Sequence, residues 1–309
     1  MKAGKIVVFG SFVVDLTSWA DHLPVPGETI KGSVFKMGPG GKGSNQGVAA
    51  SRAGADVTLV TKVGNDVFGQ TALEFYKNEN MTTEYVFVDS EKETGTALIM
   101  VDEKVGQNQI LVVSGACDNI TRYEVEQTFS LIDSAEIVLL QLEVNMDAIE
   151  KVVDYAHAKG KKIVLNTAPA RKLPVSLLQK LDIVTPNEIE AGILTDMKVE
   201  TEADAEKAAQ ILMNSGVKNV VVTMGKNGVF VMTPKRKEMI PPMQVKAIDT
   251  TGAGDAFNGG FVTALSEGKD IFEAARFGNA VGALSVTKIG TAPAMPHRSD
   301  IDRFMRDNT

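Results

Sequence analysis

Helical stretches alternate along the chain with short runs of consecutive apolar residues. Three segments share one pattern, a polar helix that ends at a glycine and leads into a β-rich run: 50–64, 154–170 and 211–225. The glycines, at positions 54, 160 and 216, stand where a residue with positive φ commonly ends a helix. The runs VTLV, IVL and VVV show no polar alternation, which is typical of parallel strands buried on both faces.

Three further apolar runs, at 5–10, 137–143 and 183–188, extend this pattern over most of the chain. Strands that alternate with helices favour an α/β fold with a mostly parallel central sheet and helices on both faces, an αβα sandwich. No Pro-, Gly- or Ser-rich linker divides the sequence, so we predict a single domain over residues 1–309.

Two segments, at about 12–37 and 94–113, break the alternation. Both contain short β-type runs without a helix, and the second is typical of a hairpin with its turn near Gly106. We expect antiparallel β excursions from the main sheet that pair as one flap. The pattern alone also permits two surface hairpins without a functional role.

Composition and charge exclude several classes of function. The 309 residues carry a net charge of −7, which disfavours a nucleic-acid partner because such binding needs a basic surface. Three histidines and one cysteine have no ligand spacing, which argues against a zinc site, and the lone cysteine favours a reducing compartment. The longest apolar run, 137–144, is too short to span a membrane, and residues 1–11 do not resemble a signal peptide. We therefore expect a cytoplasmic protein without a membrane partner.

Polar residues follow the predicted strands. They are Asp15, Glu143, Asn166, Asn187, Glu190, Thr223 and Gly225. Ligands of open parallel sheets bind at the carboxyl ends of the strands. Each residue alone is typical of a turn or a helix cap, but the set favours a binding site.

The segment GPGGKGSNQGVAASRAG (38–54) contains glycines in a G-x-G-x-x-G spacing. A dinucleotide site would need this motif after the first strand, which instead ends at Gly10. A phosphate-binding P-loop would need a closing Gly-Lys-Ser/Thr triplet, which the segment lacks. What remains is either a glycine loop that brings Lys42 and Asn45 close to ligand hydroxyls, or a set of glycines needed for helix packing.

The segment DTTGAGDAFNGGF (249–261) places glycines at the start of a predicted helix. The free N–H groups of residues 252–255 would form an anion site. Asp255 stands in this turn as either a helix cap or a general base beside a transferring phosphoryl group. The residues alone leave both roles open.

These motifs resemble ordered signatures of the PfkB family of sugar kinases, most closely its ribokinase-type members. The resemblance covers nearly the whole chain and rests on GGKGSNQ (40–46), QLE (141–143), TPNEIE (185–190), VTMGKNGV (222–229) and DTTGAGDAFNGGF (249–261). It implies a ribokinase-like αβα sandwich whose two β excursions form a small lid that closes over the sugar. It also implies a homodimer that pairs through the lid strands.

The resemblance implies transfer of the ATP γ-phosphate to the 5-hydroxyl of ribose or 2-deoxyribose. Asp255 would act as general base, and the turn of Gly252, Ala253 and Gly254 would hold the developing charge. The implied sugar-binding residues are Asp15, Val13, Gly41, Lys42, Gly43, Asn45 and Glu143. Asn187 would sit by the phosphates and Glu190 by Mg²⁺. The implied nucleotide-binding residues are Thr223, Gly225, Gly228 and Asn279. A monovalent cation, usually potassium, would bind Asp249, Thr251 and the carbonyls of Ser285, Lys288 and Gly290.

Two positions depart from the family pattern. Ala294 replaces a serine that often completes the cation site, which weakens that ligand set. Val13 stands where ribokinase-type members carry an asparagine, and deoxyribokinases are also apolar there. We therefore expect 2-deoxyribose to be accepted at least as readily as by a typical ribokinase, although Val13 could equally serve packing alone.

Two other functions stay open at this point. One is a PfkB kinase for another sugar, a nucleoside or a sugar phosphate. The other is a non-catalytic sugar-sensing module built on a kinase scaffold.

Overall fold

The predicted apolar runs form strands. The structure, a computed structural model, describes residues 4–308, so the first three residues of the N-terminal stretch and Thr309 lie outside it. Within that range the strands are β1 (Lys5–Phe9), β2 (Val13–Ala20), β3 (Val34–Gly40), β4 (Asp56–Gly64), β5 (Val86–Asp89), β6 (Thr94–Asp102), β7 (Asn108–Gly115), β8 (Ile137–Leu140), β9 (Lys162–Leu165), β10 (Ile183–Val184), β11 (Asn219–Thr223), β12 (Val229–Met232) and β13 (Lys237–Ile240).

Helices occupy most of the connections between strands. In the described residues they are α1 (Lys42–Arg52), α2 (Val67–Asn78), α3 (Arg122–Gln127), α4 (Phe129–Ser134), α5 (Met146–Ala158), α6 (Val175–Leu178), α7 (Glu188–Thr195), α8 (Glu202–Asn214), α9 (Ala253–Ser266), α10 (Ile271–Ser285) and α11 (Arg298–Asp307). Short 3₁₀ turns lie at Ala116–Asn119, Gly225–Asn227 and Ala292–Ala294. None of the helices within residues 4–308 is both long and apolar enough to cross a bilayer.

The large sheet has nine strands in the described residues, in the order β13-β12-β11-β10-β9-β8-β1-β4-β5. All neighbours pair in parallel except at one edge, where β12 is antiparallel to both β11 and β13. Successive residues of β1 enter different cores: Ile6 and Val8 pack with α1, α9 and α10, whereas Val7 and Phe9 pack with α5 and α8. The predicted αβα sandwich with a mostly parallel sheet is confirmed.

Some predicted boundaries were wrong. The run 183–188 contributes only Ile183–Val184 to the sheet, because Pro186 lacks an N–H and Asn187 already caps α7. The run 137–143 ends as a strand at Leu140. Helix α9 begins at Ala253, before the predicted start. The predicted helix-ending glycines at 54, 160 and 216 do have positive φ, at 105°, 65° and 111°.

The two β excursions form a second, smaller sheet. In the described residues it has four strands in the order β3-β2-β6-β7. The β2–β3 and β6–β7 pairs are antiparallel as expected, and Gly106 lies in the β6–β7 turn with φ 73°. The two excursions pair in one sheet as expected, and the pair that joins them, β2–β6, is parallel. Two hairpin-like units that dock side by side can meet in either direction, and their sequence patterns do not encode which.

A close helix contact positions the candidate site. On α9, a Cβ at Gly259 would lie 2.5 Å from the Cβ of Ala49 and 2.8 Å from the carbonyl oxygen of Gln46 on α1. The absence of a side chain there lets the two helix backbones approach. Because both helices start from glycine-rich turns, this contact brings the two motif regions together.

Candidate active site

Asp255 lies in the first turn of α9 and is 6% exposed. Gly252 precedes that helix with φ 76°, a conformation that favours glycine. In the described part of the chain the Asp255 carboxylate is bonded to α1 and does not cap its own helix. Its Oδ1 accepts a hydrogen bond from Nε2 of Gln46 (2.9 Å), and its Oδ2 accepts one from Nδ2 of Asn45 (3.0 Å). The capping role that the sequence left open for Asp255 is therefore not the one it performs.

Burial and neighbouring charges determine the electrostatics of this carboxylate. Burial raises the pKa of Asp255, against the opposing effects of Lys42 and of the two amide donors. Burial alone would lower the pKa of Lys42, but the surrounding carboxylates, Asp255 first, raise it. A dry carboxyl group whose pKa is raised is suited to accept a proton during a reaction.

Two more carboxylates lie near Lys42. Glu143 Oε2 accepts hydrogen bonds from Ser11 Oγ (2.5 Å) and from the backbone N–H of Lys42 (2.8 Å). Asp15 Oδ2 accepts one from Thr291 Oγ1 (3.2 Å). Burial raises the pKa of Asp15 to about 6, with repulsion from Glu143 and Asp255 adding to the effect and the Thr291 bond opposing it. The sequence reasoning missed Ser11 and Thr291, since each stands alone outside the quoted motifs.

A cavity lies on each side of the turn that starts α9. The first, of about 450 Å³, is lined by seven predicted site residues: Asn187, Thr223, Gly225, Gly228, Ala253, Gly254 and Asn279. The second, of about 650 Å³, lies under the small sheet and is lined by four others: Asp15, Asp249, Thr251 and Gly290. The predicted nucleotide residues thus share one cavity, and part of the predicted sugar and cation sets share the other.

The remaining predicted sugar residues line neither cavity within residues 4–308. They are Val13, Gly41, Lys42, Gly43, Asn45 and Glu143. Val13 is 4% exposed and packs against Gly95, where a Cβ would lie 2.9 Å from its Cγ1. A Cβ on Gly43 would lie 2.5 Å from the backbone of Gly10 and Ser11, so Gly43 allows a close backbone approach. Val13 and Gly43 therefore both lie in close contact with neighbouring backbone beside the site.

Asn187 and Glu190 form a capping box at the start of α7. The Asn187 side chain accepts from the Glu190 backbone, and Glu190 Oε2 accepts from the Asn187 backbone N–H at 3.0 Å. Burial raises the pKa of Glu190, and Asp255 adds to this. Its Oε2 accepts from Asn187 N and Thr167 Oγ1, whereas its Oε1 accepts only from Asn187 Nδ2 and keeps a lone pair. Mg²⁺ is commonly held by one or two carboxylates together with substrate phosphates. The residues present therefore fit a magnesium ion at Glu190.

Asp249 joins two loops at the edge of the second cavity. Its Oδ1 accepts from Thr251 N and its Oδ2 from Gly290 N, both at 2.9 Å. Each oxygen retains a lone pair that a monovalent cation could use. The Ser285 carbonyl also accepts from Lys288 N at 3.2 Å, and Ala294 is buried without a side-chain oxygen to offer. The oxygens present could serve a monovalent cation, with one side-chain ligand fewer than the family pattern.

The chain is similar to known carbohydrate kinases over almost its full length. A family model described as pfkB family carbohydrate kinase matches residues 3–298. The chain is 40% identical over 300 residues to a ribokinase of Haemophilus influenzae, covering 97% of this chain and 98% of that protein. It is 34% identical over 304 residues to a deoxyribokinase of Salmonella typhi, covering 98% and 99%. The structure of Arabidopsis thaliana ribokinase complexed with ribose and ATP matches with a TM-score of 0.88 at 30% identity, covering 99% of both chains. These matches confirm the resemblance that the sequence motifs indicated.

Asp15→Asn is expected to stabilise the fold in a pH-dependent way. Burial raises the pKa of Asp15 in the folded protein to about 6, against an ordinary value of 3.8 for an exposed aspartate, so the wild type loses stability as pH rises between these values. The variant removes this loss, and its advantage should grow to about 1–3 kcal/mol at about pH 7.5 and shrink towards about pH 4.5. Urea unfolding at both pH values measures the difference, with the exposed Asp21→Asn as control. A gain that is independent of pH would contradict the assignment.

Proposed function

The chain belongs to the pfkB family of carbohydrate kinases, and from this premise we propose that it is an ATP-dependent pentose kinase of the ribokinase type. It transfers the γ-phosphate of ATP to the 5-hydroxyl of ribose or 2-deoxyribose. The position of Asp255 carries the proposal: a buried, non-capping carboxylate in the turn that separates two cavities. The similarity to ribokinases and a deoxyribokinase over almost the full chain supports the substrate class.

Asp255 acts as general base in this proposal. It takes the proton of the 5-hydroxyl as the hydroxyl oxygen attacks the γ-phosphorus. The backbone N–H groups at Gly252, Ala253 and Gly254 stabilise the negative charge that develops on the phosphoryl oxygens. A hydroxyl of the sugar can donate a hydrogen bond to Asn45 beside the base, because the buried Oδ1 of Asn45 has no hydrogen-bond partner among residues 4–308.

Each cavity takes one substrate. ATP occupies the cavity lined by Thr223, Gly225, Gly228 and Asn279, with Asn187 beside its phosphates. The sugar occupies the cavity under the small sheet, where the Asp15 carboxylate accepts hydrogen bonds from its hydroxyls. Lys42 and Glu143, which lie near Asp255 outside the lining of this cavity, are proposed to bind further hydroxyls of the sugar.

Two cations complete the proposed site. Glu190 would hold Mg²⁺, which neutralises phosphate charge when it is bound. Asp249, Thr251 and the carbonyls of Ser285, Lys288 and Gly290 would hold a monovalent cation, probed with K⁺. The missing oxygen at Ala294 predicts a weak requirement for that cation.

The small sheet is proposed as a lid that shields the sugar from water during transfer. Its inner face supplies Asp15, Thr17 and Trp19 to the sugar cavity. We also place the enzyme in the cytoplasm, where its substrates and a reduced Cys117 would be found.

Asp255→Asn is expected to lower kcat by about 10²- to 10⁴-fold with little loss of sugar affinity, because asparagine keeps the shape but cannot take the proton. Coupled ADP-release assays with ribose and 2-deoxyribose measure the rate, and isothermal titration measures binding. A non-catalytic sugar sensor predicts bound sugar with no ATP turnover in the wild type. A panel that also contains nucleosides and sugar phosphates identifies a different acceptor, if there is one.

The ratio of kcat/KM for ribose to that for 2-deoxyribose is expected to stay within about 100-fold, because a valine cannot penalise a missing hydroxyl as a polar group would. Val13→Asn should move the ratio towards ribose, whereas Val13→Ala adds space without an amide and should move it less. A wild-type preference for ribose above about 10³-fold would rule out the proposed selectivity.

A second copy of the chain is proposed to cover the outer face of the small sheet. One cross-strand row of the sheet consists of Met37, Leu16, Leu98 and Leu111, of which Leu16 packs against the main core and Met37 also lines the second cavity. The other two are exposed, at 44% for Leu98 and 61% for Leu111. Contiguous exposed apolar surface of this kind marks an interaction site. Sedimentation equilibrium should show a dimer that Leu111→Asp converts to monomer, while Val175→Asp, on an exposed site of α6, leaves it intact. A monomeric wild type would contradict the proposal.

A further inference from the structure

A chain of buried side-chain amides runs from Asp255 into the large sheet. Gln46 Nε2 donates to Asp255 Oδ1 (2.9 Å) and also to Asn166 Oδ1 (3.0 Å). Asn166 Nδ2 in turn donates to the backbone carbonyl of Thr185 (2.9 Å). Gln141 Nε2 donates to Gln46 Oε1 (2.6 Å). Gln46 and Gln141 are fully buried, and Asn166 is 6% exposed.

The backbone carbonyl of Thr185 fixes the orientation of every side-chain amide in this series of hydrogen bonds. A backbone carbonyl can only accept, so Asn166 must turn its NH₂ towards Thr185 and its oxygen towards Gln46. Gln46 must then turn its NH₂ towards Asn166, and its second N–H points at Asp255. The reversed orientation of Gln46 would set its oxygen against two other acceptors, which is costly in a buried site. Gln141 reinforces the same orientation by donating to the Gln46 oxygen.

Gly10 makes room for this arrangement. A Cβ at that position would lie 1.9 Å from Gln141 Oε1 and 2.8 Å from Cα of Gly43. Any larger residue would displace the Gln141 amide or separate β1 from the start of α1. The lone glycine at the end of the first strand thus serves the amide chain rather than a dinucleotide.

A second branch leaves the same threonine. The hydroxyl of Thr185 donates to Asn258 Oδ1 (2.6 Å), and Asn258 Nδ2 donates to the carbonyl of Gly254 (2.8 Å). One branch therefore ends on the carboxylate of Asp255, and the other ends on the turn that lines the first cavity. Thr185 holds these two parts of the proposed site in a fixed relation.

We propose that Gln46 and Asn166 are positioning residues for phosphoryl transfer, and that they leave Oδ2 of Asp255 as the oxygen that accepts the proton of the sugar hydroxyl. This inference rests on the proposed function of Asp255. Oδ1 is held by the directed chain, whereas Oδ2 is held by Asn45, whose own Oδ1 lacks a partner in the described residues. The O–H bond of the sugar breaks towards Oδ2, the oxygen bonds to phosphorus, and the β–γ bridging oxygen departs with ADP.

The charged groups that face Asp255 set the pH at which it works. They are Lys42 and the carboxylates of Asp15, Glu143 and Glu190. A neutral amide at position 46 donates to the charged form of Asp255 without changing this balance. A carboxyl at that position would add a further acidic group in direct contact with Asp255, which favours the protonated base.

The central test is Gln46→Glu, compared with Gln210→Glu on the exposed face of α8. We expect kcat for the pentose to fall about 100-fold near neutral pH, with KM for sugar and ATP changed less than about threefold. The acid limb of the kcat–pH profile should move upwards by about one pH unit. Asn166→Leu, which does not touch Asp255, should lower kcat about tenfold. Thr185→Val keeps the carbonyl and should leave the acid limb in place.

A measurement without turnover separates this inference from the proposed function. Urea unfolding across pH of the wild type, Gln46→Leu, Asp255→Asn and the double variant reports the coupling between the two side chains. We expect coupling that changes with pH as Asp255 ionises. Additive effects at all pH values would overturn the inference even in an active kinase.

An unchanged acid limb in Gln46→Glu, with kcat within threefold of wild type, would overturn it as well. If Gln46→Glu does not fold, Asn166→Leu is measured instead. An unchanged acid limb with kcat within threefold of wild type in that variant would overturn the inference. A wild type without pentose kinase activity would instead overturn the proposed function, whatever the coupling.

Discussion

The contact between the starts of α1 and α9 is the constraint on which the site depends. Asn45 and Gln46 reach Asp255 only because the helix backbones approach closely at Gly259. Because of that approach, the Asp255 carboxylate is hydrogen-bonded by side chains of α1 and does not cap its own helix. Burial at this contact raises its pKa. The rest of the site follows from this placement, because the turn before α9 then separates the two cavities.

The buried site contains more carboxylate groups than positively charged side chains. Lys42 is surrounded by Asp15, Glu143, Glu190 and Asp255. Burial works against the charged forms of Asp15, Lys42, Glu190 and Asp255. Such an arrangement costs stability, and it is tolerated where ligands with hydroxyl groups and cations complete it. Hydrogen bonds from Ser11, Thr291 and the amide chain limit this cost without neutralising the carboxylates. The fold therefore stabilises these buried carboxylates mainly with hydrogen-bond donors and not with one positively charged side chain for each.

The small sheet has two faces with different chemistry. Its inner face carries Asp15, Thr17 and Trp19 into a cavity, and its outer face carries Leu98 and Leu111. Strand alternation explains how one short segment can do both, because successive side chains point to opposite faces. A substrate on one face and a second subunit on the other would each remove surface that the isolated chain leaves exposed.

The sequence by itself determined the αβα architecture, because unbroken apolar runs and helix-ending glycines are local signals. It also identified Asp255 as a candidate base and grouped the nucleotide residues, since these lie in contiguous motifs after strands. The tertiary structure alone decided the parallel β2–β6 pairing, the contact of Val13 with Gly95 and the hydrogen bonds that hold Asp255 from α1. Only the tertiary structure shows the series of hydrogen bonds that runs from Thr185 through Asn166 and Gln46 to Asp255. The partners in these contacts are distant along the sequence, with Gln46 and Asp255 separated by 209 positions, and no local pattern records which distant group a side chain will meet.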